Sequence, residues 1–275
     1  MKASEIEKHE IIPTSIPSLN EILGGGFPSK IIIEIAGMEG TGKSTLALQF
    51  LAQAQRLGRP TYYADAERSI DFVEFASAVG IDCDILEYDK QDYGEALLER
   101  MARWIDGGEF GDEKFKPHKN AVVVLDSIGG ISGRDEQEKP TEAETRALQS
   151  RIIGKFCRKI EPVIDRQNAV LIFINHLYHD QSIMSRYPIY KSKGGQVFQY
   201  LKGLSVWVSK SDKPPKRSSD GSREIEYRKV EIKQKAKYMG AFVGAKVDLE
   251  FIPKLGFVGE YVKLPEKKKK KTGQD

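Results

Sequence analysis

The stretch Lys30–Gln49, KIIIEIAGMEGTGKSTLALQ, combines a strand, a glycine-rich loop and the start of a helix. Its isoleucine-rich beginning is typical of a strand that is buried on both faces. The segment Gly37–Ser44 then fits the pattern G-x-x-x-x-G-K-[ST], and apolar residues recur at helical spacing after it. The sequence therefore predicts a phosphate-binding loop between a buried strand and a helix. A purely structural glycine turn is the alternative.

Each part of this loop has a chemical role in holding a triphosphate. Glycines let backbone N–H groups approach the phosphate oxygens, and the N-terminus of the following helix carries a partial positive charge. We expect Lys43 to contact the β- and γ-phosphates and the Ser44 hydroxyl to bind Mg²⁺. The predicted cofactors are ATP and Mg²⁺, and the predicted binding residues are Gly37, Met38, Glu39, Gly40, Thr41, Gly42, Lys43, Ser44 and Thr45.

Acidic side chains follow two further segments that have the composition of strands. Glu67 and Asp71 come just after the strand-like TYYAD, and Asp126 ends the apolar run AVVVLD. Ligands and catalytic groups of open α/β sheets collect at the carboxyl ends of strands, so we expect all three acids at the nucleotide site, with Asp71 among the cofactor-binding residues. Asp126 is predicted to hold Mg²⁺ through water, with Ser127 helping to orient it. The alternatives are a turn-capping role for Asp126 and a surface or capping role for Glu67.

The whole chain predicts an α/β fold with a twisted, mainly parallel central sheet flanked by helices and an antiparallel C-terminal extension. We expect residues 1–12 to form an N-terminal arm, residues 13–264 the core, and residues 265–275 a basic disordered tail. A helix capped near Ser18 and another that begins at Thr141 and kinks or ends at Pro162 are expected. Other predicted elements are helices at 72–79 and 94–105, polar loops at 107–119 and 210–223, and strands at 85–88, 169–175, 203–209, 224–235, 246–251 and 256–264.

Composition limits the class of protein. The chain has 275 residues, of which 40% are hydrophobic, enough for one large α/β domain or for one domain with appendages. Its net charge of +3 means that nucleic-acid contacts would need local basic patches. Cys83 and Cys157 lack metal-ligand spacing, so we expect buried thiols in a reducing compartment. Without an apolar run of membrane-spanning length or a signal-like start, the expected location is cytoplasmic, away from membranes.

Two segments combine basic with apolar or aromatic residues. Arg151, Lys155 and Arg158 share one face of the predicted long helix, where they could contact phosphates; a solvated helix face is the alternative. The segment 177–195 forms a predicted long loop in which cations alternate with aromatic residues, as suits single-stranded nucleic acid. His176 precedes it and is either a γ-phosphate sensor or a structural histidine. Candidate DNA-binding residues of this loop are Ile183, Met184, Arg186, Lys193, Gly194 and Gly195.

The order of these motifs resembles that of RecA-type recombinases over roughly residues 13–264. The resemblance rests on TSIPSLNEILGGG before the phosphate loop, DAE at 65–67, VVVLDS at 122–127 and the ungapped match of 151–176. It implies a DNA-dependent ATPase that forms helical homo-oligomeric filaments on single-stranded DNA and pairs it with homologous duplex DNA. The resemblance also favours DNA contact for Arg151 and Arg158, and makes 130–144 and 177–195 the two DNA-binding loops.

Roles for individual residues follow from the same resemblance. Glu67 matches the glutamate that activates the attacking water. Lys233 and Lys235, in the segment KQK, match a lysine pair that reaches ATP bound by the neighbouring subunit. His176 stands where most RecA proteins have glutamine. The phage recombinases of the UvsX type share the Asn-His pair, and this similarity leaves a phage origin open.

Two other functions are compatible with the same core. The chain ends soon after the core and is expected to lack the C-terminal domain of RecA, so a recombination mediator or annealing accessory ATPase is the main alternative. A hexameric helicase-type motor is the second. A clock or signalling ATPase agrees less well with the basic, aromatic loops.

Overall fold

A computed structural model describes residues 9–68, 71–132, 142–180, 188–219, 221–235 and 240–259, with the side chains of 142–146 excluded. The elements in this part of the chain are, in order, β1 (Ile11–Ile12), α1 (Pro17–Leu23), β2 (Phe27–Pro28), β3 (Ile32–Gly37), α2 (Lys43–Arg56), β4 (Thr61–Asp65), α3 (Phe72–Ala78), β5 (Leu86–Asp89), α4 (Gly94–Asp106), β6 (Gly108–Phe110), β7 (Glu113–Phe115), β8 (Val122–Asp126), α5 (Glu142–Arg166), β9 (Val170–His179), β10 (Tyr190–Ser192), α6 (Gly195–Leu201), β11 (Lys202–Lys210), β12 (Lys216–Arg217), β13 (Glu224–Lys235), β14 (Lys246–Ile252) and β15 (Gly256–Phe257).

One large sheet organises the molecule, with the strand order β15-β14-β13-β11-β3-β9-β8-β4-β5. The strands from β11 to β5 in this order run parallel to their neighbours. The strands β13, β14 and β15 continue the sheet in antiparallel pairs. The predicted mainly parallel α/β sheet with antiparallel strands toward the C-terminus is therefore confirmed. Because β3 lies in the middle, the loop that follows it opens at the centre of the sheet edge.

Helices cover both faces of this sheet, as the burial of every residue of β3 requires. Ile33 and Ile35 belong to the apolar cluster that contains α1, α2 and α3, whereas Ile32 belongs to the cluster that contains α4, α5 and α6. Successive side chains of a strand point to opposite faces, so the isoleucine run fills both layers at once. Within the described ranges, no helix is both long and apolar enough to cross a lipid bilayer.

Several local predictions differ from the structure. Helix α1 begins at Pro17 after Ile16, so Ser18 is not its cap. Helix α5 does not end at Pro162; it continues to Arg166, because Val163 and Ile164 are buried in the core below it. Tertiary packing thus outweighs the missing N–H of the proline.

Two predicted loops contain strands. The polar loop at 107–119 folds into the hairpin β6–β7, and the loop at 210–223 contains β12, which pairs with β13. The long loop predicted after His176 begins as a continuation of β9, which runs to His179 and pairs with β10. At the other end, β15 ends at Phe257, and residues 260–264 lie outside the described part.

The predicted domain boundaries remain a prediction. Ile11 and Ile12 pair with β2, and Ile12 is buried, so the last two residues of the expected arm belong to the body of the fold. Residues 1–8, the capping box at Thr141 and the expected basic tail at 265–275 lie outside what the structure describes.

Candidate nucleotide site

The glycine-rich loop joins β3 to α2 at the centre of the sheet edge. Gly37 ends β3, and a Cβ atom there would lie 2.3 Å from the carbonyl oxygen of Val208 on the neighbouring strand β11. Gly42 has a φ of 95° and immediately precedes α2. Only glycine fits the first position without a clash, and it best tolerates the backbone of the second. The local sequence therefore fixes a tight turn that aims the N-terminus of α2 at the sheet edge.

Lys43, the first residue of α2, is buried in this loop. Its Nζ donates a hydrogen bond to the carbonyl oxygen of Met38 at 2.9 Å. Burial lowers the pKa of Lys43, and the negative charges of Asp126, Glu67 and Glu39 oppose that effect. A phosphate would add the anionic partner that a desolvated ammonium needs. The donor chemistry of the loop therefore fits a triphosphate.

Asp126 lies at the end of β8 directly beside Asp65 at the end of β4. Tyr63 donates its hydroxyl hydrogen to Asp126 Oδ2 at 2.5 Å. The pKa of Asp126 is raised to about 6, chiefly by burial; the charges of Glu67 and Asp65 contribute to this rise, and hydrogen bonds from Ser44 and Tyr63 oppose it. A carboxylate kept at such a cost is suited to receive a cation.

The oxygen donors of Ser44 and Asp126 fit Mg²⁺, which prefers hard oxygen ligands and keeps several waters. In the described part of the chain, no group of three or more His, Cys, Asp or Glu side chains could hold a metal by itself. One or two protein oxygens completed by phosphates and water are the usual arrangement for this ion. The residues present therefore suit magnesium that arrives with a nucleotide.

Glu67 is held just beyond β4 by two polar side chains. Its Oε1 accepts a hydrogen bond from Ser127 and lies 2.9 Å from His176 Nε2. The hydrogen bond with His176 is the main cause that lowers the pKa of Glu67 to about 2; Ser127 and the charge of Lys43 also lower it, against desolvation. Since His176 stands opposite Gly37 in the β3–β9 pair, this contact connects the glutamate to the strand beside the loop.

Lys193, predicted as a DNA contact, lies close to this cluster. A Cβ atom on Gly129 would be 3.2 Å from Ser127 Oγ, 3.5 Å from Lys193 Nζ and 3.7 Å from His176 Cδ2. The side chain of Asn175 donates to the Lys193 carbonyl oxygen at 2.9 Å. The end of the predicted DNA loop and the predicted γ-phosphate sensor thus meet at Gly129.

Asp71 immediately precedes α3 and has a φ of 58°. It borders an open pocket of about 470 Å³ whose apolar lining includes Phe72, Leu86 and Tyr88. Cys83 also borders the pocket and is only half-buried, which corrects the expectation of two buried thiols; Cys157 is buried. The volume of the pocket lies in the range of small-molecule pockets, and its lining is mostly apolar.

The remaining predicted residues lie on other surfaces. Arg151, Lys155 and Arg158 are exposed on α5. Lys233 and Lys235 lie on β13, which β11 separates from β3 and its loop. Lys193, Gly194 and Gly195 border a cleft of about 1290 Å³ that also contains Lys233 and Gln149. Ile183, Met184 and Arg186 lie outside the described residues.

Sequence reasoning missed a buried polar network behind the loop. Glu34 on β3 is fully buried, and its Oε2 accepts hydrogen bonds from Lys202 and Ser205, both at 2.6 Å. Its Oε1 accepts a hydrogen bond from Asn175 at 2.8 Å. A single acid in the apolar run IIIEIA was the available signal, because a buried carboxylate needs partners. Tyr63, which contacts Asp126, was missed as well.

The strand–loop–helix turn, the buried Asp126 and the Ser44 hydroxyl together define a P-loop nucleoside triphosphatase fold and site. Within this class, residues 1–253 match the family model described as the RecA N-terminal domain. The chain therefore belongs to the RecA family, a family of ATPases, and contains its recombinase core.

Relatives of this chain carry names that agree with the family. It is 32% identical over 209 residues to "Protein RecA" of Aquifex pyrophilus, which covers 76% of this chain and 57% of that protein. It is 29% identical to "Protein RecA" of Deinococcus radiodurans over 92% of this chain and 71% of the relative. It is 29% identical to the "Mitochondrial DNA repair protein recA homolog" of Dictyostelium discoideum, over 94% of this chain and 54% of that protein. The chain thus spans little more than half of the Aquifex and Dictyostelium proteins.

Proposed function

We propose that this protein is a DNA-dependent ATPase that forms helical filaments on single-stranded DNA and uses them for homologous pairing and strand exchange. One observation carries the proposal: Glu67, at the edge of the phosphate loop, is bound to His176, and His176 lies beside the lysine that ends the predicted DNA loop. In this proposal, the ATPase site and the DNA-binding hairpin share His176 as their point of contact.

Hydrolysis requires a bound triphosphate, a positioned water and a group that orients or accepts its proton. In our proposal, Lys43 and the loop hold the phosphates, while Ser44 and Asp126 would hold Mg²⁺. When bound, that ion neutralises charge on the phosphate oxygens. Asp71 contacts the base, in keeping with its place at the apolar pocket.

Glu67 orients the attacking water and receives its proton. With a pKa of about 2, Glu67 is ionised but weakly basic as long as His176 and Ser127 hold it. Loss of the His176 contact raises the basicity of Glu67 because that hydrogen bond is the main cause of the low pKa. A γ-phosphate that attracts His176 would therefore release the base at the moment when its substrate is present.

The neighbouring subunit of the filament contributes Lys233 and Lys235 to the triphosphate. Their place on β13, across β11 from the phosphate loop of the same chain, is compatible with a role in a second subunit. Positive charge supplied in this way stabilises the charge that develops on the transferred phosphoryl group. ATP would then join adjacent subunits, so that nucleotide binding and filament assembly depend on each other.

DNA is proposed to bind along the exposed cations of α5 and the hairpin that follows β9. Arg151, Lys155 and Arg158 contact phosphates, and Lys193 with the two following glycines closes the loop on the strand. Ile183, Met184 and Arg186 are proposed to contact bases and backbone, as apolar and cationic groups do on single strands. ATP-driven release of His176 from Glu67 would alter the hairpin and favour the DNA-binding conformation.

The decisive experiment measures ATP hydrolysis with and without single-stranded DNA and images the same samples by electron microscopy. Strong stimulation together with open helical filaments is expected. Unstimulated hydrolysis with rings or monomers would contradict the proposal, and rings that unwind duplex DNA would identify a helicase-type motor. Strand exchange with a homologous duplex then separates a recombinase from a mediator or annealing ATPase. The cytoplasmic location remains a prediction.

A further inference from the structure

Lys233 occupies an irregular position in the sheet. Ser205 of β11 pairs with Gln234 of β13, but the next residue, Val206, pairs with Ile232. Lys233 is therefore the extra residue of a β-bulge. Bulges bend a strand and change the direction of the side chain at that point, and they are frequent beside functional sites.

The bulge directs Lys233 onto an indole ring. Lys233 Nζ lies 5.0 Å from the centroid of the Trp207 ring and 2.7 Å from Glu231 Oε1. Trp207 is the residue that faces Glu231 across the β11–β13 pair. An ammonium within about 6 Å of a ring centroid is attracted by the negative face of the ring, and tryptophan gives the strongest attraction of the aromatic side chains.

The indole ring of Trp207 carries a buried polar group at a cost in stability. Trp207 Nε1 is buried and has no hydrogen-bond partner among the described residues. A buried N–H without an acceptor is costly, and such groups in folded proteins call for an explanation. Phenylalanine would fill much of the same space without this cost. The indole attracts a cation more strongly than a phenyl ring does, and this attraction opposes the cost.

We infer that Trp207 is a positioning residue for Lys233: its ring restricts the ammonium of this exposed lysine to one place on β13, from which it reaches the triphosphate bound by the neighbouring subunit. Glu231 pairs with the same ammonium, and the neutral ring adds a second restraint that brings no further negative charge. A lysine with a long flexible chain loses less freedom on binding when it is already oriented. This inference rests on the cross-subunit role of Lys233 in the proposed function.

The test compares steady-state ATP hydrolysis on single-stranded DNA for Trp207→Phe in three backgrounds. In the otherwise unchanged protein and in Lys235→Ala, the substitution should lower kcat by up to about fivefold, the factor of a whole exposed cation–π contact, since phenylalanine keeps a weaker ring face for the ammonium. In Lys233→Ala it should have no effect, because the side chain that it positions is gone. Lys235→Ala is the matched control, since it removes a neighbouring lysine of the same strand.

The outcomes separate the inference from the proposed function. An equal loss of kcat in the Lys233→Ala background would show that Trp207 acts only through the fold and would overturn the inference. If Lys233→Ala alone leaves hydrolysis unchanged, the cross-subunit role is wrong and the inference falls with it. If Lys233→Ala lowers hydrolysis but Trp207→Phe does not, the proposed role stands and only the inference is overturned.

A spectroscopic measurement tests the contact without changing Trp207. The chain has two tryptophans, and the other, Trp104, is buried and stacked on His118. Trp104→Phe therefore leaves Trp207 as the only indole emitter. Adding Lys233→Ala should shift its emission, whereas adding Lys235→Ala should not. If Trp104→Phe does not fold, the difference spectrum between Lys233→Ala and the unchanged protein serves instead, and an unchanged spectrum overturns the contact.

Discussion

Glu34 and Asp126 are both buried carboxylates of the same sheet, yet their surroundings differ. Glu34, on β3, is fully paired: an ammonium, a hydroxyl and an amide satisfy its two oxygens. Asp126, on β8, has two other carboxylates near it, and burial raises its pKa to about 6. The first arrangement stabilises the fold, whereas the second is costly until a cation arrives. Incomplete charge compensation thus distinguishes the site from the core.

The largest effect is expected for Glu67, which lies at the sheet edge where the negative charges are incompletely compensated. Glu67→Gln keeps the shape and a hydrogen bond with Ser127 but removes the negative charge, so kcat for ATP hydrolysis should fall by about 10²- to 10⁴-fold. The affinity of this variant for a non-hydrolysable ATP analogue, measured by titration calorimetry, should be unchanged. Glu95→Gln, at an exposed position on α4, is the control. A fall in kcat of less than tenfold would contradict the proposed role of Glu67 in the reaction.

Removing one partner of the Glu34 network should destabilise the protein more than replacing both partners with apolar residues. Glu34→Ala leaves the buried Lys202 without its carboxylate and should lower the free energy of unfolding by about 3–5 kcal/mol, measured by chemical denaturation. The double substitution Glu34→Leu with Lys202→Met should recover most of that loss. Glu99→Ala, which breaks exposed ion pairs with Arg103 and Lys159, should cost about 1 kcal/mol or less. An equal loss in both single variants would contradict the comparison.

Asp126→Asn should have the opposite effect on stability. A pKa raised from 3.8 to about 6 means that ionised Asp126 lowers the free energy of unfolding of the nucleotide-free protein by about 3 kcal/mol at neutral pH. The amide keeps an acceptor for Tyr63 and carries no charge, so the variant should be more stable by that order and inactive with Mg²⁺ and ATP.

The pH dependence of this gain follows from the direction of the shift. A raised pKa favours the folded state below about pH 4, and this contribution is lost as the pH rises through about 6. The advantage of Asp126→Asn should therefore be small at pH 4 and complete above pH 6.5. Denaturation curves at both pH values check this, and an advantage that is the same at both would exclude Asp126 as its source.

The smallest effect is expected at the contact between the site and the hairpin. Because Glu67 is about two-fifths exposed, removing His176 should change stability by less than about 1 kcal/mol. His176→Ala should, however, reduce the stimulation of hydrolysis by DNA and the ATP dependence of DNA affinity, by at most about tenfold. Unchanged stimulation and unchanged affinity would show that His176 does not couple the two sites.

The strand–loop–helix turn and the places of Glu67 and Asp126 at the sheet edge were predictable from the sequence because those features are local, whereas the chemical roles of these residues are still predictions. The isoleucine run, the glycine spacing and the acids after apolar runs each depend on neighbouring residues, and parallel strands bring their ends to one edge. The network around Glu34 was not predictable in this way. Its partner Lys202 lies 168 positions away, and periodicity shows that a residue is buried without showing what it meets.

Other differences have the same physical origin. Polar and aromatic residues such as Tyr178 and His179 read as loop, but pairing with β10 makes them part of β9. Pro162 should break a helix when considered alone, yet buried neighbours keep α5 continuous. Local propensity was overruled in each case by contacts with distant segments. The residues predicted to touch bases in the second DNA loop lie outside the described part, so their roles are still predictions.

Strand β9 is continuous from the phosphate loop to the hairpin, and this continuity determines how movement passes between them. One strand runs from the centre of the sheet, past His176 opposite the phosphate loop, to His179 in the hairpin. Three residues of extended chain span about 10 Å, so a tilt imposed at the histidine reaches the hairpin without passing through a flexible joint. A continuous strand therefore transmits a small displacement from His176 to His179, whereas an irregular segment of the same length would change its own backbone angles instead.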